Sequence, residues 1–296
     1  MKRALVLSGG GVKGAFHVGV LEHLIREEGR DWGYMMGVSV GALNVSVLGQ
    51  APVGKLYAQY DVLLRLWTEA ITGNSSVWTH WFPLRGMSGL WKHSIYDSTP
   101  LLRLIEGQVR DDAARQSGRE LRFGAVAYGS GMYVEATQNS TNIARWVAAS
   151  AALPPFFAPQ SINNDLWMDG AVRCVAPLKG AIDWGADEID VILAYPRSSS
   201  KAFVADRLQG TKVDALTIAM RAISLQGDEL FTRDVKLCEH YNSLVAANYA
   251  SNKRLVKLNV YEPNRPLLNG AFSTLTFDPK KIREMITLGV TAARQP

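Results

Sequence analysis

The chain has 296 residues, of which 47% are hydrophobic and 20% charged, ample for a large buried core and inconsistent with a disordered chain. A net charge of +5 favours anionic surfaces such as membranes, although modest basicity also describes many soluble proteins, and no nucleic-acid partner is expected. Two cysteines, Cys174 and Cys238, are too few for a disulfide framework and lack metal-ligand spacing, so neither a metal nor another cofactor is expected.

Met1-Lys2-Arg3 starts like a signal peptide, but the apolar run ends at Leu7, far short of the hydrophobic stretch such a peptide needs. The expectation is a cytoplasmic chain, with no segment near the ~20 apolar residues that span a bilayer. Ala4-Leu5-Val6-Leu7 reads as a first strand, and a helix carrying Val18, Leu21, Leu24 and Ile25 on one face follows. Between them lies Gly9-Gly10-Gly11-Val12-Lys13-Gly14. A glycine loop that opens a helix cradles anions, and three uses compete for it. A nucleotide P-loop fails, because Gly14 is followed by Ala15 and Phe16 where Lys and then Ser or Thr are required. A dinucleotide fingerprint fits Gly9, Gly11 and Gly14, yet the acid that should bind ribose, Asp31, stands before the second strand rather than at its end. An oxyanion hole built from backbone amides ranks first, because the next strand-to-helix turn carries a serine.

That turn is Gly37-Val38-Ser39-Val40-Gly41, between the strand-like Tyr34-Met35-Met36-Gly37 and an apolar helix containing Ala42, Leu43, Val45, Val47 and Leu48. A G-x-S-x-G at such a turn lifts the serine hydroxyl out of the backbone and aims the helix N-terminus at it. The pentapeptide alone is weak evidence, since Ser39 also suits a plain helix N-cap. From Ala51 to Ser117 the chain offers no pattern that aligns with a known motif. Within it, residues 77–91 hold Trp78, Trp81 and Trp91 among Gly and Pro, and two readings stand: a membrane-facing lid, or rings packed over the core, which is the commoner arrangement. His80 and His93 flank this run and receive no role.

Arg119 to Thr137 reads as a hairpin turning at Gly129-Ser130-Gly131. Met168-Asp169-Gly170-Ala171 then follows Leu166-Trp167; in isolation it is an ordinary turn, and beside the other two loops it becomes the third corner of a site. Further strands are expected over 189–195 and 255–260. Residues 211–250 should form one or two long helices broken near Gly227, and Pro279 should open the last helix. The alternation predicts an α/β fold, a three-layer α/β/α arrangement with a mostly parallel central sheet, as a single domain over residues 1–296.

With these residues in order, the chain resembles the patatin-like phospholipase family, which carries a G-G-G-x-[KR]-G loop, a G-x-S-x-G elbow and a D-G-[AG] motif. Ala149-Ser150-Ala151-Ala152-Leu153-Pro154 with Phe157-Ala158-Pro159, and Phe277-Asp278-Pro279-Lys280-Lys281-Ile282, extend the likeness over most of the chain. The resemblance implies a Ser-Asp dyad without histidine: Ser39 as nucleophile, Asp169 as general base, and the amides of Gly9, Gly10 and Gly11 as oxyanion donors, Gly10 and Gly11 foremost. Lys13 and Gly14 complete the loop, Gly37 and Gly41 flank the serine, and Gly170 and Ala171 follow the aspartate. Lys13 either meets a lipid phosphate or is simply solvated at a helix start. The residues agree on the missing histidine, because a Ser-Asp-His order would need His240, which lies in a helix-like run.

The expected function is a serine acyl hydrolase acting on phospholipids or related acyl lipids through an acyl-Ser39 intermediate, with peripheral membrane contact. Acyl transfer to another acceptor by the same dyad, and a catalytically idle lipid-binding or effector protein, are the alternatives. The preferred lipid and the oligomeric state are not legible in the sequence.

Overall fold

The computed structural model describes residues 1–80, 93–197, 215–247, 254–268 and 271–294. In chain order, β1 (Arg3–Leu7) leads through the glycine loop into α1 (Gly14–Glu22), and β2 (Tyr34–Val38) turns at Ser39 into α2 (Val40–Leu48). Next come α3 (Leu56–Arg65), a small ribbon of β3 (Thr79–His80) and β4 (Tyr96–Asp97), α4 (Thr99–Gln108) and α5 (Asp111–Gln116). The hairpin β5 (Glu120–Ala127) and β6 (Tyr133–Thr137) is followed by α6 (Ile143–Ser150) and a second hairpin, β7 (Gln160–Ile162) and β8 (Asp165–Asp169). After α7 (Lys179–Trp184) come β9 (Glu188–Ile192), α8 (Ala215–Ala246), β10 (Lys257–Tyr261) and α9 (Pro279–Ala293).

Strands β10, β9, β1, β2 and β5 lie side by side in that order, all parallel. Parallel sheets need cover on both faces, which is why Ala4 to Leu7 and all of β2 are buried without alternation to polar residues. Side-chain direction nevertheless alternates. Leu5, Leu7 and Met35 pack into the core shared with α1, α2, α3, α4, α6 and α9, whereas Ala4, Val6, Tyr34, Met36 and Val38 meet α7 and Phe231, Val235 and Cys238 of α8. The result is the three-layer α/β/α arrangement with a mostly parallel sheet that the sequence predicts.

The antiparallel part of the sheet positions the site. β6 runs along one edge of β5 from Arg122 to Val126, so β2 and β8 must share the other edge. Along that edge Val38 pairs with Gly124, and the next residue, Ala125, pairs with Asp169. β8 therefore takes over from β2 where β2 ends, and the turn after Val38 is brought against Asp169.

The structure changes one expectation. Helix α8 runs unbroken through Gly227, because one glycine costs a helix only about 1 kcal/mol relative to alanine. Asp31, the acid at dinucleotide spacing, is engaged structurally at the entry to β2: its carboxylate pairs with the buried Arg119 guanidinium, which also bonds the Ala51, Trp32 and Pro52 carbonyls. Among the described residues, no helix is long and apolar enough to cross a membrane.

Candidate active site

Ser39 sits between strand and helix with φ 56° and ψ −125°, a conformation that L side chains rarely adopt and that costs on the order of 1–3 kcal/mol. The flanking glycines permit it. A Cβ on Gly37 would overlap the Gly41 carbonyl, and one on Gly41 would overlap the Leu7 carbonyl. Although Ser39 occupies the N-cap position of α2, its side chain makes no capping hydrogen bond, so the hydroxyl is not consumed by the helix. It is 8% exposed and lines a largely apolar cavity.

Asp169 ends β8 fully buried. Its Oδ1 accepts the Ala171 N–H at 2.8 Å and so caps the short turn Gly170–Val172, while its Oδ2 has no hydrogen-bond partner in the protein. An unpaired buried carboxylate oxygen is costly to ionise, and burial pushes the Asp169 pKa up to about 7. The Ala171 amide pulls it back. So does the Ser39 hydroxyl, which lies near enough to favour the charged form without completing a bond to Oδ2. Gly170 is required by packing, since a Cβ there would run into the Gly124 carbonyl.

The glycine loop approaches from the other side, and a Cβ on Gly9 would touch both the Ser39 and the Ala171 side chains. Ser8 anchors the loop by accepting the Ala194 N–H at 2.9 Å and donating to the Gly9 carbonyl at 3.0 Å. The Gly9 amide donates to the Val175 carbonyl at 3.1 Å, so it holds the loop in place and, unlike its two neighbours, is not open to a ligand. Among the described residues the Gly10 and Gly11 N–H groups meet no acceptor, and neither does the Val40 N–H at the unpaired start of α2. Gly11 has φ 57°, and a Cβ there would overlap the Thr274 carbonyl. Lys13 and Gly14 end the loop; Lys13 is half-buried at the cavity wall, and Gly14 abuts the Val40 side chain.

The cavity beside these groups has a volume of about 170 Å³. Its apolar walls include Trp67, Ile71, Val77, Leu101 and Leu104, all from the stretch 51–117 that carries no recognisable motif. Thr274, Leu275 and Phe277 close it from the C-terminal side.

Two buried polar groups in helices escaped the sequence reading. Asn44 of α2 donates to the Gly14 carbonyl at 3.1 Å and accepts the Trp67 indole N–H at 2.9 Å, tying the end of the glycine loop to a cavity wall. His17 of α1 lies 3.5 Å from the Asn44 amide nitrogen through Nδ1, and burial lowers its pKa to about 3. It is neutral and is not among the cavity residues. The signal for both was present: a lone Asn or His inside an apolar helical run asks for a buried partner.

His240 is exposed on α8, as its helical surroundings suggested. Trp78 is packed, with its ring stacked on Tyr96 at 4.1 Å between centroids and its N–H on the Leu275 carbonyl at 2.9 Å. Trp81 and Trp91 lie outside the described residues. Among those described, no group of three His, Cys, Asp or Glu side chains is placed to hold a metal ion.

The geometry can be set beside known proteins. The uncharacterized protein YjjU of Escherichia coli (strain K12) is 29% identical over 202 residues, 65% of this chain and 52% of that protein. The chain thus spans about half the length of that curated relative. The crystal structure of VipD from Legionella pneumophila aligns over 99% of this chain and 66% of its own, with 12% identity and a TM-score of 0.43. The profile of the patatin-like phospholipases matches residues 5–182, a stretch that begins in β1 and takes in the glycine loop, the Ser39 elbow and the Asp169 turn. More than half of the sequence falls under that one profile, and the chain belongs to the patatin-like phospholipase family.

Proposed function

We propose that the protein is a lipid acyl hydrolase that works through a Ser39–Asp169 dyad. The observation that carries this reading is a fully buried carboxylate with one oxygen unpartnered, beside a strained serine whose hydroxyl caps nothing. A serine held that way, at the N-terminus of a helix and at the wall of an apolar cavity, suits attack on the ester carbonyl of a fatty-acyl chain.

In the acylation step Asp169 takes the Ser39 proton as Ser39 Oγ bonds to the carbonyl carbon. The oxyanion so formed is received by the Gly10 and Gly11 amides, with the Val40 amide as a third donor after the serine. The proton then passes from Asp169 to the departing alcohol oxygen as the ester C–O bond breaks. Water, deprotonated by Asp169, then attacks the acyl carbon, and the proton passes from Asp169 to Ser39 Oγ as the acyl C–O bond to Ser39 breaks and the fatty acid leaves. The elevated Asp169 pKa serves both directions, because a group titrating near 7 takes and returns a proton with little penalty at neutral pH. The apolar wall of Trp67, Ile71, Val77, Leu101 and Leu104 accommodates the acyl chain, and phospholipids or related acyl lipids are the substrate class.

The test is covalent labelling with a fluorophosphonate, followed by peptide mass spectrometry and turnover of a soluble short-chain ester. Labelling at Ser39 that disappears in Ser39→Ala, together with loss of turnover in a folded variant, is the expected result. An idle binding protein would not label, and a Ser39→Ala variant that still hydrolyses the ester would remove the dyad from consideration. Product analysis with an added alcohol acceptor distinguishes hydrolysis from acyl transfer.

A further inference from the structure

Ser150, the last residue of α6, is fully buried. Its Oγ accepts the backbone N–H of Ser39 at 2.9 Å, across 111 residues of sequence. Two residues later the Ala152 carbonyl accepts the backbone N–H of Asp169 at 3.1 Å. Ala151, between them, lines the cavity. One short stretch of chain therefore holds the amides of both site residues while contributing its middle residue to the wall.

The Ser39 amide needs such a partner. With φ at 56° the residue stands outside the regions where strand or helix bonding would secure it, and the hydroxyl of Ser150 is the acceptor its amide meets. The amide of Asp169 is in a similar position, since it ends β8 and its bond goes to a carbonyl outside the sheet. Backbone pairing along β5 sets Ser39 and Asp169 to the correct register, but the rotation of the elbow about its own backbone is left to local bonds.

We infer that Ser150 is a positioning residue, whose hydroxyl fixes the Ser39 elbow relative to Asp169 and thereby sets the rate of the nucleophilic step rather than substrate affinity. The inference rests on the dyad reading above. Its logic is that attack geometry is steep: a misplacement of about 1 Å costs on the order of 100-fold, while the apolar cavity that binds the acyl chain is untouched.

The test compares Ser150→Ala, which deletes only the hydroxyl, with Ser150→Cys, which keeps a side chain of similar size but a weak acceptor, and with Ala148→Gly, which loosens α6 without touching either amide. Each is assayed with a soluble short-chain ester and by the rate of fluorophosphonate labelling, below its own melting temperature. Ser150→Ala should lose roughly 10- to 100-fold in kcat and labelling rate with KM within about threefold of the wild type. Ser150→Cys should fall between, and Ala148→Gly should melt lower with kcat retained. The acid limb of the pH profile should also move upward in Ser150→Ala, because the Ser39 hydroxyl that helps hold the Asp169 pKa down is displaced. Wild-type kcat and labelling in Ser150→Ala, a change confined to KM, or an equal kcat loss in Ala148→Gly would overturn the inference. Should Ser150→Ala not fold, Ser150→Cys decides by the same criteria. A wild-type protein that is not labelled at Ser39 would instead end the dyad reading itself, a separate outcome from normal labelling that Ser150 does not influence.

Discussion

Asp169 faces the Ser39 elbow because both hang from one strand: Gly124 of β5 pairs with Val38, and the adjacent Ala125 pairs with Asp169. Two segments more than a hundred residues apart are thus aligned by backbone hydrogen bonds, whose spacing side-chain changes do not alter. The side chains are free to be unusual. Asp169 is fully buried, and Ser39 occupies a backbone conformation that costs on the order of 1–3 kcal/mol.

Asp169→Asn should reduce turnover by orders of magnitude and raise stability at neutral and alkaline pH. The folded pKa of about 7 stands above the ordinary value of 3.8, so the native state binds a proton that the unfolded chain has lost throughout that window. Stability contributed by this group is therefore full below about 3.8 and declines as pH rises to about 7, by at most ~1.4 kcal/mol per unit. Asparagine has no such decline. Thermal melts of both proteins from pH 4 to 8 should diverge upward in favour of the variant, and convergence would mean that the carboxylate is solvated.

Activity should carry the same signature with the opposite use. In the proposed dyad the general base is the Asp169 carboxylate, so kcat/KM for a neutral ester should rise with pH and level off above about 7. A plateau reaching down to pH 5 would show that the working group is an unshifted acid.

Gly11→Ala should lower kcat roughly 100-fold, the usual cost of losing one oxyanion donor. The added methyl meets the Thr274 carbonyl and opposes φ 57°, so the loop must move with its amides. Gly29 also has a positive φ, 63°, but nothing lies within 4 Å of its Cβ position. Gly29→Ala thus serves as a control for backbone strain away from the site: kcat should be unchanged there, and equal losses in both variants would assign the Gly11 effect to global strain.

Much of this was legible in the sequence because it is local. The strands at 4–7, 34–37, 189–195 and 255–260 each contain or overlap an observed strand, and the hairpin over 119–137 turns at Gly129-Ser130-Gly131 as read. Short buried runs bounded by Gly or Asp announce themselves regardless of tertiary context. The wall of the cavity did not. Trp67, Ile71, Val77, Leu101 and Leu104 come from helices and turns whose apolar residues look like any other core face, and only the tertiary arrangement turns them toward Ser39. Ser150 was visible only as part of a family-like segment, since no pattern in one sequence connects it to an amide 111 residues away.

Trp78→Ala should impair hydrolysis of vesicles and of a monomeric ester alike, with a loss of about 2–3 kcal/mol in stability, somewhat below the range for a fully buried aromatic. The indole is stacked on Tyr96, and its N–H holds the carbonyl of Leu275, which lines the cavity. Trp78→Phe should keep most of the packing and lose about 1 kcal/mol for the hydrogen bond. A selective loss on vesicles, with the monomeric ester unaffected, would return Trp78 to the lid.

His17→Leu should isolate a second buried titration that opposes the first. The folded pKa of His17, about 3, lies below the ordinary 6.5, so as pH falls the unfolded chain takes up a proton that the native state refuses. Stability from this group is full above about 6.5 and is lost as pH drops toward 3, again by at most ~1.4 kcal/mol per unit. Between about 3.8 and 6.5 that slope is opposite in sign to the slope from Asp169, and the two offset each other in the wild type. Leucine removes one of them. The stability of His17→Leu relative to wild type should therefore be constant above about pH 6.5 and should climb steadily as pH falls below it, whatever the absolute cost of the substitution. Denaturant melts at half-unit steps from pH 4 to 8 read the difference directly, and a flat difference across the whole range would mean that the imidazole reaches solvent or finds an anionic partner when protonated.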